Sequence, residues 1–131
     1  MKKHILFILI LFALISCKKQ KFSPEGPSDI RIRNLTDYTF TEVSVSVSGE
    51  TINFIDIEAK SVSEYHRFKK SFPKADISVK VNDETFSTEP VDYTYMQYFG
   101  QDKVTYEVII EDFGNKKLKI SNVILEGPID P

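Results

Sequence analysis

From Val43 to Ser48 valine and serine take turns, and this period of two recurs along most of the chain. Successive side chains of a strand point to opposite faces. Val43, Val45 and Val47 therefore share one face, and Ser44, Ser46 and Ser48 the other, as in a strand with one face on a core and one in water. Ile30 and Ile32 alternate with Arg31 and Arg33 in the same way. Ile77, Val79 and Val81 repeat the pattern, and Val104, Tyr106, Val108 and Ile110 extend it. From Asp29 onward there is no convincing helical period. The abundance of Phe, Tyr, Val and Ile agrees with strands.

Turn signals punctuate the alternation. Asn34 to Asp37, Gly49-Glu50, Ala59 to Ser61, Asn82-Asp83 and Asp112 to Lys116 separate the apolar runs. Ile52 and Phe54 sit on one parity and Ile55 and Ile57 on the other, which predicts a bulge or bend. Val62 to Phe68 reads as a strand with Tyr65 inward, and Ile77–Val81 with Thr85-Phe86-Ser87 as a hairpin. The spacing predicts an all-β fold: an immunoglobulin-like antiparallel β-sandwich of about seven strands over residues 29–126. The Cys–Trp–Cys core of antibody domains is absent, since the chain has one cysteine and no tryptophan. A small β-barrel is the alternative. Gly127, Pro128 and Pro131 mark a tail, 127–131.

The first 28 residues follow a different logic. Lys2 and Lys3 precede an unbroken apolar run from Ile5 to Ile15, and Ser16 and Cys17 close it. A basic start, an apolar core and small residues at its end describe a secretory signal peptide. The run is about a dozen residues, whereas a spanning helix needs roughly 20. Lys18, Lys19 and Lys21 then stop it. Pro24, Gly26 and Pro27 carry no apolar period, so 17–28 reads as a flexible linker reaching about 20 Å.

Leu14-Ile15-Ser16-Cys17 resembles the lipobox of bacterial lipoproteins. The resemblance implies cleavage after residue 16, lipid on Cys17, and a membrane as partner through that lipid. One acyl chain binds only marginally, at about 0.8 kcal/mol per buried methylene, and the two or three chains of this family anchor stably. Lys18 in place of an aspartate leans toward the outer membrane of a Gram-negative bacterium. The absence of acidic residues immediately after Cys17, in Lys18-Lys19-Gln20-Lys21, favours a periplasm-facing domain. In style the chain also resembles small, uncharacterised β-rich envelope lipoproteins.

Composition narrows the chemistry. About 115 residues follow the predicted cut, enough for one domain. Losing Lys2 and Lys3 takes the net charge from −2 to about −4, so no nucleic-acid footprint exists. With Cys17 the sole cysteine, no disulfide is available and the core must carry stability. His66 is the one histidine beyond the signal peptide, which excludes a His-rich metal centre. With Tyr65 inward, His66 reads as a solvated edge residue facing outward. No Gly-x-Ser-x-Gly elbow, EF-hand or phosphate-cradling loop occurs. Asp56 with Glu58, Asp83-Glu84 and Glu111-Asp112 read as solvated acids rather than an acid–base pair. These readings predict a non-enzyme without cofactor or metal.

Two surfaces stand out for binding. Asp92 to Gly100 concentrates Tyr93, Tyr95 and Tyr98, whose flat faces and polar tips suit sugar or protein contacts. The competing reading, which the need for aromatic core favours, is that Tyr93, Tyr95 and Phe99 plug the end of the fold. Arg67, Lys69, Lys70 and Lys74 form a basic patch that could meet an anionic partner or simply blunt an edge strand. Asn34-Leu35-Thr36 fits a glycosylation sequon and carries little weight behind a bacterial lipobox. The expected function is a non-catalytic envelope lipoprotein that binds or scaffolds an envelope protein or polysaccharide. The alternatives are a carbohydrate-binding accessory and an inhibitor or immunity-type lipoprotein.

Overall fold

Each alternating stretch becomes a strand in the computed structural model, which describes residues 23–131. Eight strands follow one another: β1 (Ser28–Asn34), β2 (Thr41–Val47), β3 (Glu50–Phe54), β4 (His66–Phe68), β5 (Asp76–Val81), β6 (Glu84–Ser87), β7 (Asp102–Asp112) and β8 (Lys117–Pro128). The described residues contain no helix, so the fold they form is all-β. Two of the hairpins turn on residue pairs with left-handed backbone. Ser48 and Gly49 join β2 to β3 with φ of 47° and 88°, and Asn82 and Asp83 join β5 to β6 with φ of 49° and 65°. Such turns match the natural twist of paired strands.

The strands form one sheet in the order β3-β2-β5-β6-β8-β7-β1-β4. Most neighbours are antiparallel, but β1 runs parallel to β7 and β6 parallel to β8. The sheet is thus mixed rather than wholly antiparallel. It curls until its outermost strands meet. The rings of Phe54, at the end of β3, and His66, at the start of β4, lie 4.1 Å apart. No strand pairing joins β3 to β4, so the barrel stops just short of closure. Of the two architectures that strand spacing allowed, a nearly closed small barrel describes this sheet better than a sandwich of two separate sheets.

Inside the curl lie the apolar faces read from the sequence. Ile30, Ile32, Val43, Val45, Val47, Ile77, Val79, Val81, Val104, Tyr106 and Val108 are all buried, with Phe40, Phe68 and Phe86 between them. Each such side chain contributes about 1.5–3 kcal/mol by leaving water. Tyr106 also donates its hydroxyl to the Phe72 carbonyl at 2.6 Å, which satisfies the one polar atom of a fully buried ring. On the outer face Arg31 pairs with Glu126 and Arg33 with Glu107, each at 3.0 Å.

Odd-numbered strands all run one way and even-numbered strands the other. Connections therefore gather at two ends. At one end are the β1–β2, β3–β4 and β7–β8 connections. There the buried Asn34 amide donates to the carbonyls of Tyr38 and Glu58, and Tyr38 packs on Phe113 with centroids 5.4 Å apart. The sequon asparagine is thus a fully buried structural residue. At the other end lie the β2–β3 turn, the 69–75 and 88–101 connections and residues 23–28. Lys69 N donates to Glu50 Oε1 at 2.8 Å, and Phe99 N to the Ser71 carbonyl at 2.9 Å.

Four expectations need correction. The linker of 17–28 is not free over its described part: Gln101 Nε2 donates to the Ser23 carbonyl at 2.7 Å, and Ser71 Oγ to Ser28 Oγ at 2.8 Å. Gly26 is buried so tightly that a Cβ there would sit 1.9 Å from the Lys69 carbonyl oxygen. The tail of 127–131 is held as well, since β8 reaches Pro128 and Ile129 is buried with its N–H on the Gln101 carbonyl. The strand expected over Val62 to Phe68 shrinks to His66–Phe68, with Val62 making an isolated bridge to Arg33. Its parity is also reversed: His66 shares the face of buried Phe68, while Tyr65 lies outside under the Arg31 guanidinium, 4.6 Å away. The aromatic face of Phe54 and the cation of Arg31 decide this orientation, and neither neighbour is local in sequence.

Candidate functional site

The tyrosine-rich segment forms the long β6–β7 connection, and its anchors can be followed residue by residue. Asp76, the first residue of β5, accepts the Val91 N–H at 3.0 Å. The Tyr93 hydroxyl lies 3.1 Å from both Asp76 Oδ2 and the Ser46 carbonyl, and its ring packs on Phe72 at 5.2 Å. Burial and the Asp76 carboxylate push the Tyr93 phenol up to about 12. Asp92 Oδ1 accepts the Thr94 N–H at 2.9 Å, an Asx turn whose hydrogen bond holds that carboxyl below its ordinary range. Met96 and Phe99 turn back onto the core.

Between these anchors the chain makes an outward excursion. Tyr95 has φ +66° and is fully exposed. A left-handed backbone at a bulky residue costs about 1–2 kcal/mol, and Tyr95 recovers none of it by packing. Tyr98 is exposed at 37%. Of the three tyrosines, then, Tyr93 plugs the fold while Tyr95 and Tyr98 face outward.

Beside the loop the sheet opens. β6 touches β8 at one register pair, Ser87↔Lys117, and beyond it the chain leaves the sheet. The wedge so created is a cleft of about 490 Å³. Ala75, Met96, Leu118 and Ile120 give it apolar walls, and Lys74, Asp92, Glu111 and Lys119 also line it. Glu89 ion-pairs with Lys117 at 2.9 Å beside it, raising the lysine's pKa. An apolar slot with charges of both signs can hold a chain-like ligand that carries both kinds of group. Among the described residues no three His, Cys, Asp or Glu side chains converge on a metal-sized site.

The basic patch does not assemble into an anion site. Arg67 clamps Asp29 through Nε at 2.9 Å and donates to the Asp130 carbonyl at 2.7 Å. Lys70 reaches Glu25 at 3.4 Å, and Lys74 lies at the cleft instead. His66 packs against the Phe54 ring, 4.1 Å between centroids. Sequence reading missed Ala75, Met96, Leu118 and Ile120 as parts of one surface. The parallel β6–β8 contact that unites them leaves no periodic signal. Cys17, the predicted lipid site, lies outside the described residues.

No protein-family model matches the chain, and no curated protein matches it. Among solved structures it is similar to an NMR structure of a protein from Eubacterium rectale, with a TM-score of 0.51 and 12% identity. The match covers 79% of this chain and 96% of that one. A likeness at this identity concerns the fold alone.

Proposed function

We propose that this protein is a non-catalytic, lipid-anchored binding module of a bacterial envelope. Cys17 is its attachment point, and the cleft between the 88–101 loop and β8 is its binding surface. The observation that carries the reading is the sole cysteine of the chain, set between an apolar run and three nearby lysines. Its company is that of a lipobox and not of a reactive thiol, which needs a base and a folded pocket. The cleft supports the binding half of the reading, because it is formed before any ligand arrives and carries apolar and charged groups together. Lys18, and the absence of acidic residues from Lys18-Lys19-Gln20-Lys21, support a periplasm-facing position in the outer membrane.

The test is mass spectrometry of the full-length protein taken from membranes, beside a Cys17→Ser variant, with protease shaving of intact cells. A lipidated N-terminal Cys17, and release of the variant from membranes, is the expected result. Protection from shaving supports the periplasmic side, and digestion moves the domain to the cell surface. An unmodified Cys17 overturns the anchor.

A further inference from the structure

We infer that the end of the barrel carrying Tyr95 rests on the bilayer, with the Tyr95 ring seated in the headgroup region of the same membrane that holds Cys17. The inference rests on the lipid-anchor reading and adds an orientation and a second membrane contact to it. Its first support is the length of chain between the anchor and the fold. Six residue steps separate Cys17 from Ser23, and an extended chain covers at most about 3.3–3.6 Å per step, or about 20 Å in all. The place where that chain meets the fold is fixed. Gln101 Nε2 holds the Ser23 carbonyl, and Gly100 accepts from Ser28 Oγ while lying against the Pro24 carbonyl.

Gly100 and Gln101 end the connection whose tip is Tyr95, five residues earlier. The adjoining 69–75 segment runs alongside through the Ser71–Phe99 hydrogen bond and the Phe72–Tyr93 ring contact. The anchor therefore keeps this end, and not the Tyr38–Phe113 end, beside the membrane. β7 alone, at eleven residues, spans about 33 Å along its own length between the two ends.

The second support is Tyr95 itself. An aromatic ring is held wholly in solvent on a left-handed backbone, braced from behind by Tyr93, Met96 and Phe99. Tyrosine favours the membrane interface because its ring is apolar and its hydroxyl stays wet. The tether lysines Lys18, Lys19 and Lys21 belong to the anchor, and charge at the Tyr95 tip itself contributes little. Lys70 is paired with Glu25 and Arg67 with Asp29, and Asp92 lies within three residues of Tyr95. The contact is thus aromatic rather than electrostatic, and it forms on zwitterionic lipid and survives high salt.

The chain contains no tryptophan, so Tyr95→Trp and Tyr38→Trp each place one reporter, at opposite ends of the barrel. Both variants, full length and taken from membranes, are reconstituted in phosphatidylcholine vesicles that contain lipid brominated near the headgroup. The mass of Cys17 is read in the same samples. The expected result is a lipidated Cys17, with Tyr95→Trp emission blue-shifted and quenched in high salt and Tyr38→Trp emission unchanged. Lipidated protein in which neither reporter, or both equally, are quenched overturns the orientation and leaves the anchor standing. Unlipidated protein removes the anchor, and the orientation with it.

Discussion

Phe54 and His66 stack at 4.1 Å across the two outermost strands of the sheet, and Phe68 adds a third ring 6.4 Å from Phe54. β3 and β4 share no backbone pairing, so these rings and the Lys69–Glu50 hydrogen bond hold the last gap of the barrel. Phe54→Ala removes the ring that both His66 and Phe68 touch. Loss of a buried phenylalanine costs about 3–5 kcal/mol. Urea unfolding at neutral pH is expected to show a loss in that range. A loss near that of an exposed residue, within about 0.5 kcal/mol, would mean that the edges do not support each other.

Gly26→Ala tests whether residues 23–28 belong to the domain. The new Cβ would meet the Lys69 carbonyl at 1.9 Å, and that oxygen belongs to backbone that cannot swing away. Crowding of this kind typically costs about 1–3 kcal/mol. The variant is expected to unfold at lower urea, and limited proteolysis is expected to cut it before Ser28. Wild-type stability with wild-type digestion would return this stretch to the role of a linker.

Tyr93 gives the loop a signature at high pH. Its phenol is pushed up to about 12 in the fold, while an unfolded tyrosine ionises near 10. The folded state therefore holds the proton more tightly than the unfolded state. This contribution to stability is whole below pH 10 and is lost as pH rises through about 12. Tyr93→Phe removes the hydroxyl, costs about 1 kcal/mol at neutral pH, and leaves Asp76 its bond from Val91 N. Its urea midpoint is expected to fall less steeply between pH 10 and 12 than that of the wild type. Parallel curves would show that the Tyr93 hydroxyl is not coupled to the fold.

Much of the barrel was legible because a period of two survives any arrangement of strands. Val43, Val45 and Val47, or Ile77, Val79 and Val81, face the core whichever strands flank them. The left-handed pair Asn82-Asp83 was equally local, since those residue types tolerate the backbone a tight hairpin needs. The 62–68 stretch was harder. His66 and Tyr65 are adjacent and both amphipathic, so only their partners, Phe54 and Arg31, decide which of them turns inward.

The candidate site divides in the same way. Composition alone pointed to Tyr93, Tyr95 and Tyr98. It could not separate the plug from the exposed rings, because the Asp76 carboxylate and Phe72 ring that hold Tyr93 come from the far side of a hairpin. The basic patch of Arg67, Lys69 and Lys70 was visible as charge, but the pairing of Arg67 with Asp29 and of Lys70 with Glu25 required residues some forty positions away.

By itself the sequence determined most of the strands and their buried faces, the tight turns and the resemblance to a lipobox at Cys17, all of which depend on residues within a few positions of one another. Tertiary structure decided the near closure of the sheet through Phe54 and His66, the parallel contact at Ser87 and Lys117, and the cleft that this contact leaves open. It also brought Ser23 and Gly100 to one end of the barrel. Those features arise from pairings between distant strands, and a local period carries no record of which strand will lie beside it.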